Sequence, residues 1–540
     1  MSEADLLSRN VDVCIVGAGP VGLSLAFKLE ALGRTVLLLE AGPRHGRDVP
    51  DPAATGFINR NHALPGDASH RGLGGTSALW GGRCVPYDDL DFQPRDHLIS
   101  PGWPIAHSEM SKHYREAAEF LQCGSATFDR NSPDEGEDIV ADAVEWWSKS
   151  PALGPVYEDR LRLSERVIVI PQAAVLDINL RGDGRNVQSV QVSHAGQLRT
   201  VRARQFVLAA GGLETARMLL SLQKRHPQKL GGADGPLGRY YQGHLTGYIA
   251  VAQINDKALL QNLSFCCDSQ GVRYRRRLQV SPRRQTQERL LNAVFWLDPM
   301  SISDPSHGSG TLSLLYLLLA FSGTYRFLSR GLAPRSRDDR SGEIRRHLLN
   351  IGAGGTSVSA LFRSLHRFCR SAHSALENPA GRYLLRYHAE QMPNPESRVT
   401  IPDGAAASML SVDYRVADDD VASVLRSHAV LDAWLRHRHL GWLEYLHPDP
   451  ATRTKAVINQ AFDGYHQIGH IRMSRNPGDG VVDQDCRIHD LENLYVAGAS
   501  VFATGGHANP TLPAVALALR LGERLASLLM SEDLEAGLAP

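Results

Sequence analysis

Three glycines near the N-terminus have the spacing of a phosphate-binding turn. Residues 11–22 read VDVCIVGAGPVG, so Gly17, Gly19 and Gly22 directly follow a run of β-branched residues. Gly17 would permit a tight turn, Gly19 would let a pyrophosphate approach the main chain, and Gly22 would let a helix pack closely on the strand. Glu40 stands where a carboxylate can accept hydrogen bonds from a ribose diol. The pattern predicts a dinucleotide site.

A second glycine-rich stretch lies between Arg71 and Cys84. Residues 74–82 read GGTSALWGG, so two pairs of glycines surround a small, apolar middle. Such a segment lets the main chain lie flat against a planar ligand and offer it amide groups. A plain surface loop is the alternative, but the central Trp80 argues against it, because loops that only connect rarely carry buried aromatic residues.

The elements that would position these residues follow from the apolar pattern. Residues 11–16 predict a buried parallel strand, the leucines and alanines of residues 23–32 recur at helical spacing, and residues 35–39 predict a second strand. Residues 205–212 and 493–499 repeat the arrangement of a strand that ends in small residues. These small residues would let the strand ends pass close to the phosphate and ribose of a ligand. Residues 124–160 are polar and carry no clear pattern.

Composition limits the class of function. Lys+Arg and Asp+Glu both number 58 in 540 residues, which argues against a nucleic-acid partner. The 7 cysteines lack CxxC spacing, which argues against a disulfide framework or a metal site. The longest apolar run, residues 312–321, is too short to span a bilayer and predicts a buried helix. The polar N-terminus shows no secretory signal, so we expect a cytoplasmic protein without an integral membrane segment.

The order of these motifs resembles that of the glucose–methanol–choline (GMC) family of FAD-dependent alcohol oxidoreductases. The resemblance is carried by GAGPVG with Glu40, GGTSALWGG, VLAAGG at 207–212, HQIGHIRM at 466–473, and NLYVAGAS with NPTLPAVALALR near the C-terminus. Residues 245–455 carry little beyond QMPNPESRV. The GG…WGG and NPTL forms are most similar to the sugar-oxidising branch that includes pyranose oxidases.

The resemblance implies an α/β fold, α+β overall, with a Rossmann-type FAD-binding domain built from both ends of the chain. A mixed sheet-and-helix substrate domain would be inserted into it. We expect residues 1–95, 165–244 and 456–540 to form the FAD-binding domain. Residues 96–164 would be a helical and loop segment on the substrate side, and residues 245–455 would form the substrate domain.

The resemblance also implies a set of residues that contact FAD. Pyranose oxidases attach the flavin to a histidine just before the tryptophan, and Leu79 stands at that position here. We therefore expect FAD to be bound non-covalently. The residues expected to hold it are Gly17, Gly19, Pro20, Gly22, Glu40, Arg71, Gly75, Thr76, Ser77, Trp80, Gly81, Val175, Ala210, Gly211, Gly498, Ala499, Pro510 and Thr511.

Two catalytic residues are implied by the same resemblance. His466 occupies the HxxG position and would be the base that removes the proton of a substrate hydroxyl, a task that suits imidazole. His470 follows where many members have threonine, which leaves some ambiguity about which imidazole is catalytic, and we favour His466. Asn509 would orient the substrate hydroxyl, although it could instead cap the final helix with Pro510 in its first turn. His244 and His507 are further candidates that the motif does not favour.

The implied activity is oxidation of a CH–OH group to the carbonyl, with hydride transfer to the flavin N5 atom. The substrate would be a sugar, polyol or glycoside-like molecule, and oxygen or another acceptor would take the electrons. A flavin monooxygenase that uses NAD(P)H is one alternative, but it would need a second nucleotide site. The GAGG at residues 352–355 does not supply one, since no β-branched strand precedes it. A non-redox flavoprotein of the same fold is the other alternative.

Overall fold

A computed structural model describes residues 6–537 except 8, 47, 49–53, 60, 99–101, 125, 129–135, 322–339, 355–377 and 405–408. The first framework is a parallel sheet of five strands. Its order across the sheet is Leu494–Val496, Ala203–Leu208, Val11–Val16, Val36–Leu39 and Val167–Ile170. Because the strands are parallel, the turns that follow them meet at one edge, where nucleotide cofactors bind in such folds.

The helices on this sheet join the two ends of the chain. The predicted first helix runs over Pro20–Ala31 and packs against the last helix, Thr511–Glu535. Lys28 and Glu523 form an ion pair of 3.1 Å between the two helices. A large apolar core contains residues from both helices and from all five strands. The Rossmann-type domain is therefore built from both ends of the chain, as predicted.

The second framework is an eight-stranded, largely antiparallel sheet. Seven strands follow the order Gly441–Tyr445, His244–Ile254, Arg382–Glu390, Ala293–Asp298, Arg273–Val280, Ile139–Trp147 and Arg83–Cys84, and Cys266–Cys267 also pairs with Arg273–Val280. One face packs its apolar residues with the helix Asp418–His437 in a separate core. The opposite face carries many polar side chains. The five predicted domain ranges remain a prediction, and the strands of this sheet lie in three of them, with His244 alone falling in a fourth.

The remaining elements are smaller. Two three-stranded sheets consist of Ala173–Leu180, Val187–His194 and Gln197–Val201, and of Arg398–Thr400, Leu410–Asp413 and Thr55–Phe57. The other α-helices are Pro65–Ala68, Asp89–Phe92, His107–Ser111, Tyr114–Phe120, Leu153–Leu163, Gly212–Arg225, Lys257–Asn262, Pro282–Glu288, Gly310–Phe321, Arg340–Gly354 and Pro450–Gln460.

The long apolar run forms the helix Gly310–Phe321, which packs against Arg340–Gly354. Leu312, Leu315 and Leu317 are buried, but the side of the helix that carries Leu318 and the terminal Phe321 are exposed. The prediction of a buried helix is therefore correct for one face. Among the described residues, no helix combines the length and hydropathy needed to cross a bilayer.

Candidate active site

The first glycine loop has the shape that a phosphate-binding turn requires. Gly17 has a φ of +107°, and a Cβ atom at Gly22 would lie 1.9 Å from the Gly17 carbonyl oxygen. A Cβ atom at Gly19 would approach Gly75 Cα at 3.9 Å and no other described atom within 4 Å. The helix that follows begins at Pro20, so its first amides face this open space. The loop fits a pyrophosphate.

Glu40 connects the two glycine-rich segments through hydrogen bonds to their main chains. Its Oε2 atom accepts the Ala18 N–H at 2.9 Å, and its Oε1 atom accepts those of Gly42 at 2.8 Å and Gly72 at 2.9 Å. Burial raises the pKa of this carboxyl group, and the three amides oppose that effect. A carboxylate offers about four acceptor positions, so one is left for a ribose hydroxyl. The ribose contact itself stays a prediction.

The second glycine-rich segment lies directly against the first. A Cβ atom at Gly75 would stand 2.8 Å from Gly19 Cα. Ser77 is buried, donates to the Gly74 carbonyl at 2.6 Å and accepts the Leu153 N–H at 3.1 Å. Half-buried Trp80 donates from Nε1 to the Pro151 carbonyl at 2.8 Å. Ser77 and Trp80 thus fasten the segment to the start of the helix Leu153–Leu163.

The other predicted cofactor residues lie at strand ends or within neighbouring elements. Ala210 and Gly211 follow one strand of the parallel sheet and Gly498 and Ala499 follow another, and a Cβ atom at Gly211 or Gly498 would meet no described atom within 4 Å. This open edge is a cradle that fits FAD. Pro510 and Thr511 lie at the start of the last helix, and Thr76 and Gly81 lie in the second glycine-rich segment. Arg71 forms main-chain hydrogen bonds with Asp48. The side chain of Val175 is buried in the strand Ala173–Leu180.

His466 lies between a carboxylate and an amide. Its Nδ1 atom is 3.0 Å from Asp463 Oδ2, and its Nε2 atom is 3.2 Å from Asn509 Nδ2. Asp463 Oδ1 also accepts the main-chain N–H groups of Tyr465 and His466, so one carboxylate shapes the turn and holds the ring. Burial alone would raise the pKa of Asp463, but the neighbouring imidazoles and amides lower it to about 2. Asp463 is therefore ionised at neutral pH.

His244 fixes the tautomer of His466. Its Nε2 atom lies 3.1 Å from the Gly506 carbonyl oxygen, which can only accept, so Nε2 carries the proton. Burial lowers the pKa of His244 to about 3, so the ring is neutral and Nδ1 is an acceptor. That atom lies 3.0 Å from His466 Nδ1. His466 must then carry its proton on Nδ1, and its Nε2 atom keeps a lone pair.

A third imidazole completes the cluster. His388 stacks on His244 with ring centroids 4.3 Å apart, and its Nδ1 atom is 2.6 Å from Thr246 Oγ1. Burial lowers the pKa of His388 well below its usual value. One nitrogen of each of His244, His388 and His466 lies within 4.8 Å of the others, a spacing that also suits a metal ion. The Nδ1 atom of each of the three histidines is engaged in a hydrogen bond, with Asp463, Thr246 or another histidine of the cluster. Such a hydrogen-bonded series is expected where several residues position one base.

Two family models match the chain. Residues 12–284, more than half of the protein, match the model described as "FAD dependent oxidoreductase". Residues 393–518, which contain Asp463 and Asn509, match the model described as "GMC oxidoreductase".

The chain belongs to the FAD-dependent oxidoreductases of the GMC family.

Curated relatives and solved structures agree with this family. The chain is 22% identical to 2-methyl-1,2-propanediol dehydrogenase of Mycolicibacterium austroafricanum, over 95% of this chain and 94% of that protein. It is 23% identical to 6'''-hydroxyparomomycin C oxidase of Streptomyces lividus, over 98% and 94% of the two chains. An FAD-dependent oxidoreductase from Chaetomium thermophilum has a similar fold, with a TM-score of 0.53, 18% identity, and coverage of 97% of this chain and 99% of that one. This GMC protein is an FAD-dependent enzyme that acts on CH–OH donors.

The alternative interpretation of Asn509 as a helix cap is wrong. The last helix starts at Thr511, Pro510 occupies the cap position, and no side chain caps it. The Asn509 amide instead points to His466, and its Oδ1 atom is buried without a hydrogen-bond partner among the described residues. That amide oxygen is a buried acceptor to which a substrate hydroxyl could donate.

The structure separates the two histidines of the HxxGH motif in this GMC enzyme. His470 is fully buried with its ring 5.2 Å from that of Tyr241, and a Cβ atom at Gly212 would lie 2.8 Å from its Cε1 atom. Burial lowers the pKa of His470 to about 4. Another candidate, His507, lies 3.0 Å from Asp88 through Nε2. Neither belongs to the cluster around His466.

Asp463 and His388 were missed by the sequence analysis, and His244 was named without being favoured. Asp463 stands three residues before His466, a spacing that places both on one turn and could have been noticed. His388 lies in Arg382–Glu390, where polar residues alternate with buried apolar ones. That alternation is typical of a strand with one solvated face, so it gave no sign of a site.

Proposed function

We propose that this GMC enzyme oxidises the CH–OH group of a sugar, polyol or related alcohol to the carbonyl, with His466 as the base. The observation that carries the proposal is the position of His466, with Asp463 behind Nδ1 and a lone pair on Nε2. A base must reach the hydroxyl proton and must hold the right protonation state before reaction. The hydrogen bonds of His244 and Asp463 place the proton of the neutral ring on Nδ1 and so leave the lone pair on Nε2.

Each residue of the cluster has a separate task in the proposal. His466 Nε2 accepts the hydroxyl proton, and the charge of Asp463 stabilises the imidazolium that results. The buried Oδ1 atom of Asn509 accepts a hydrogen bond from a neighbouring hydroxyl of the substrate and so orients the carbinol. His244 stays neutral and keeps the ring of His466 in one orientation. When bound, FAD supplies the acceptor for the hydride that leaves the carbinol carbon.

The names of the relatives support an alcohol or sugar substrate. They include a propanediol dehydrogenase and a hydroxyparomomycin oxidase, and also the large subunit of fructose dehydrogenase of Gluconobacter japonicus, which is 22% identical over 96% of this chain. Because both oxidases and dehydrogenases occur among them, the proposal includes oxygen or another compound as electron acceptor.

An anaerobic reduction experiment tests the proposal. The purified holoenzyme is mixed without oxygen with sugars, glycosides, polyols and simple alcohols, and its absorbance near the flavin maximum is followed. We expect at least one CH–OH compound to bleach the flavin, and admission of air then distinguishes an oxidase from a dehydrogenase. Bleaching by NADPH instead would indicate a monooxygenase, and a flavin that no alcohol bleaches would indicate a non-redox protein. Either result would contradict the proposal.

A further inference from the structure

Four arginines share the polar face of the eight-stranded sheet. They are Arg83, Arg275, Arg277 and Arg386, and we call them the arginine group. Strand pairing fixes their common face, since paired residues, and residues two apart on one strand, point to the same side. The pairs that connect them across the sheet are Arg83 with Trp147, Glu145 with Arg275, Gln279 with Val294, and Trp296 with Arg386. His388 lies on this face as well, two residues after Arg386. The arginine group therefore lies on the same face of the sheet as His388 of the histidine cluster.

Two carboxylates pair with these four cations. Glu145 is 3.3 Å from Arg83 Nε and 3.5 Å from Arg277 Nη1, and it also accepts a hydrogen bond from Arg275. The three cations lower the pKa of Glu145 to about 2 although burial alone would raise it. Asp298 accepts a hydrogen bond from Arg386 Nε at 2.8 Å. Four guanidinium groups and two carboxylates leave an excess of two positive charges.

One further acid, Asp88, offsets part of this excess. Asp88 contributes to the field at Arg277, but its Oδ2 atom is engaged by Gln279 and Asn292 and lies 3.0 Å from His507 Nε2. Arg277 is fully buried, and its Nε, Nη1 and Nη2 atoms make no hydrogen bond with any described residue. Burial, followed by repulsion from its arginine neighbours, lowers the pKa of Arg277 to about 10.

Holding like charges together in a buried place is unfavourable unless an anion balances them. Trp296 lies under two of the cations, with the guanidinium carbons of Arg83 and Arg275 each 4.8 Å from its ring. This stacking fixes the cations in place but supplies no negative charge. The polar face therefore favours the binding of an anion, because the described residues provide less negative charge than would balance the four arginines.

Two members of the arginine group are open to a ligand. The side chains of Arg83 and Arg386 are 26% and 35% exposed, whereas Arg275 and Arg277 are almost completely covered. Burial nevertheless lowers the pKa of both Arg83 and Arg386, and the charge of Arg83 lowers that of Arg386 further. Access combined with burial is the property of groups that line an internal cleft, and Arg83 stacks on Trp296, the residue that pairs with Arg386.

We propose that the substrate carries an oxyanion group, such as a carboxylate, sulfate or phosphate, that binds between Arg83 and Arg386. The inference rests on the proposed function, because it adds a second anchor to the alcohol whose proton His466 removes. Residues two apart on a strand have Cα atoms about 7 Å apart, so the Cα atom of Arg386 lies roughly one sugar ring from that of His388. Arginine suits this task because its planar fork can bind two oxygens of one oxyanion.

Matched pairs of alcohols test the inference. The anaerobic holoenzyme is mixed with glucose, glucuronate, glucose 6-phosphate and glucose 6-sulfate, and with a hydroxy acid and the corresponding neutral diol. We expect an anionic member to have an apparent Kd for flavin reduction at least tenfold lower than its neutral partner. The preference should weaken as salt is raised. Which anion is preferred distinguishes the three oxyanions, and an equal or better reaction of the neutral partners would overturn the inference while leaving the proposed function intact.

Substitutions locate the effect. Arg386→Gln should raise the apparent Kd of the preferred anionic alcohol at least tenfold and change the limiting rate of flavin reduction little, and Arg386→Lys should restore part of the affinity. The control is Arg276→Gln, which removes a cation from the opposite face of Arg273–Val280, where it stacks on Tyr274. A loss of the same size in both Gln variants would contradict the assignment.

A binding measurement separates the inference from catalysis. Inorganic sulfate is titrated into the holoenzyme without an alcohol, and the melting temperature and flavin spectrum are recorded. We expect sulfate to raise the melting temperature of the wild type and of Arg276→Gln, but not of Arg83→Gln or Arg386→Gln. Stabilisation that is equal in all four proteins would show an adventitious ion only and would overturn the inference, whether or not any alcohol reduces the flavin.

Discussion

The orientation of His466 is set by its neighbours. The Gly506 carbonyl accepts the proton of His244 Nε2, and two acceptors, Asp463 Oδ2 and His244 Nδ1, lie 3.0 Å from His466 Nδ1. With His244 neutral and protonated on Nε2, these contacts place a proton on His466 Nδ1. Because Asp463 is buried and ionised, its charge acts on His466 with little screening by water.

Replacement of Asp463 by Asn tests this positioning role. The amide can still accept the main-chain N–H groups through Oδ1, so the turn should survive. Without the negative charge, the imidazolium of His466 is less stable, and we expect kcat to fall at least tenfold, about 1.4 kcal/mol. The acidic limb of the kcat/KM profile should move to lower pH. An unchanged pH profile would show that the carboxylate has a structural role alone.

At the scale of elements, the glycine loops depend on close approach of main chains. A methyl group at Gly22 would collide with the Gly17 carbonyl, which is main chain and cannot move aside cheaply. We expect Gly22→Ala to lower FAD affinity at least tenfold and to reduce the yield of yellow protein. Gly182→Ala is the control, since a Cβ atom there meets no described atom within 4 Å. Equal FAD binding by both variants, measured by flavin fluorescence, would contradict the role assigned to Gly22.

Local patterns sufficed to predict the parallel sheet. The strands predicted over residues 11–16 and 35–39 are observed as Val11–Val16 and Val36–Leu39, and the helix predicted over 23–32 is Pro20–Ala31. Each has a strong apolar signal, and a glycine borders the first strand and the helix. Such signals depend on neighbouring residues alone, so a sequence can report them.

The polar wall of the site could not be predicted in the same way. Residues 124–160 gave no pattern, yet Ile139–Trp147 is a strand whose Glu145 pairs with Arg275, 130 residues away. Alternating charged and apolar residues usually mark a strand with one face in water. Here much of the charged face is buried, with Arg275 and Arg277 almost completely covered, and that burial depends on long-range packing.

At the scale of the whole molecule, the cofactor domain is built from both ends of the chain. Leu79 occupies the position at which covalent attachment of FAD would require a histidine. The side chain of Leu79 is partly exposed and has no nucleophilic atom. We therefore expect trichloroacetic acid to precipitate colourless protein and to leave the yellow flavin in the supernatant. A yellow pellet would contradict non-covalent binding.

Buried neutral histidines make the molecule sensitive to acid. Burial lowers the pKa of His428 to about 4, whereas an unfolded histidine titrates near 6.5. Between these values the unfolded state binds more protons, so stability is full at neutral pH and is lost as pH falls. At pH 5 the loss from His428 alone is about 2 kcal/mol.

A comparison of two leucine variants measures this contribution. His428→Leu should lose less melting temperature than the wild type between pH 7.5 and pH 5. His437→Leu, on the exposed side of the same helix, should lose as much as the wild type. The prediction fails if both variants respond to pH alike.

The rate of flavin reduction in His466→Ala tests the central claim most directly. The variant is loaded with FAD, mixed anaerobically with an alcohol that reduces the wild type, and followed by stopped-flow absorbance. We expect the variant to retain bound FAD and to be reduced about 10²- to 10⁴-fold more slowly, because the hydroxyl proton has lost its acceptor. Reduction at a rate near that of the wild type, with FAD bound, would remove His466 from the role of base.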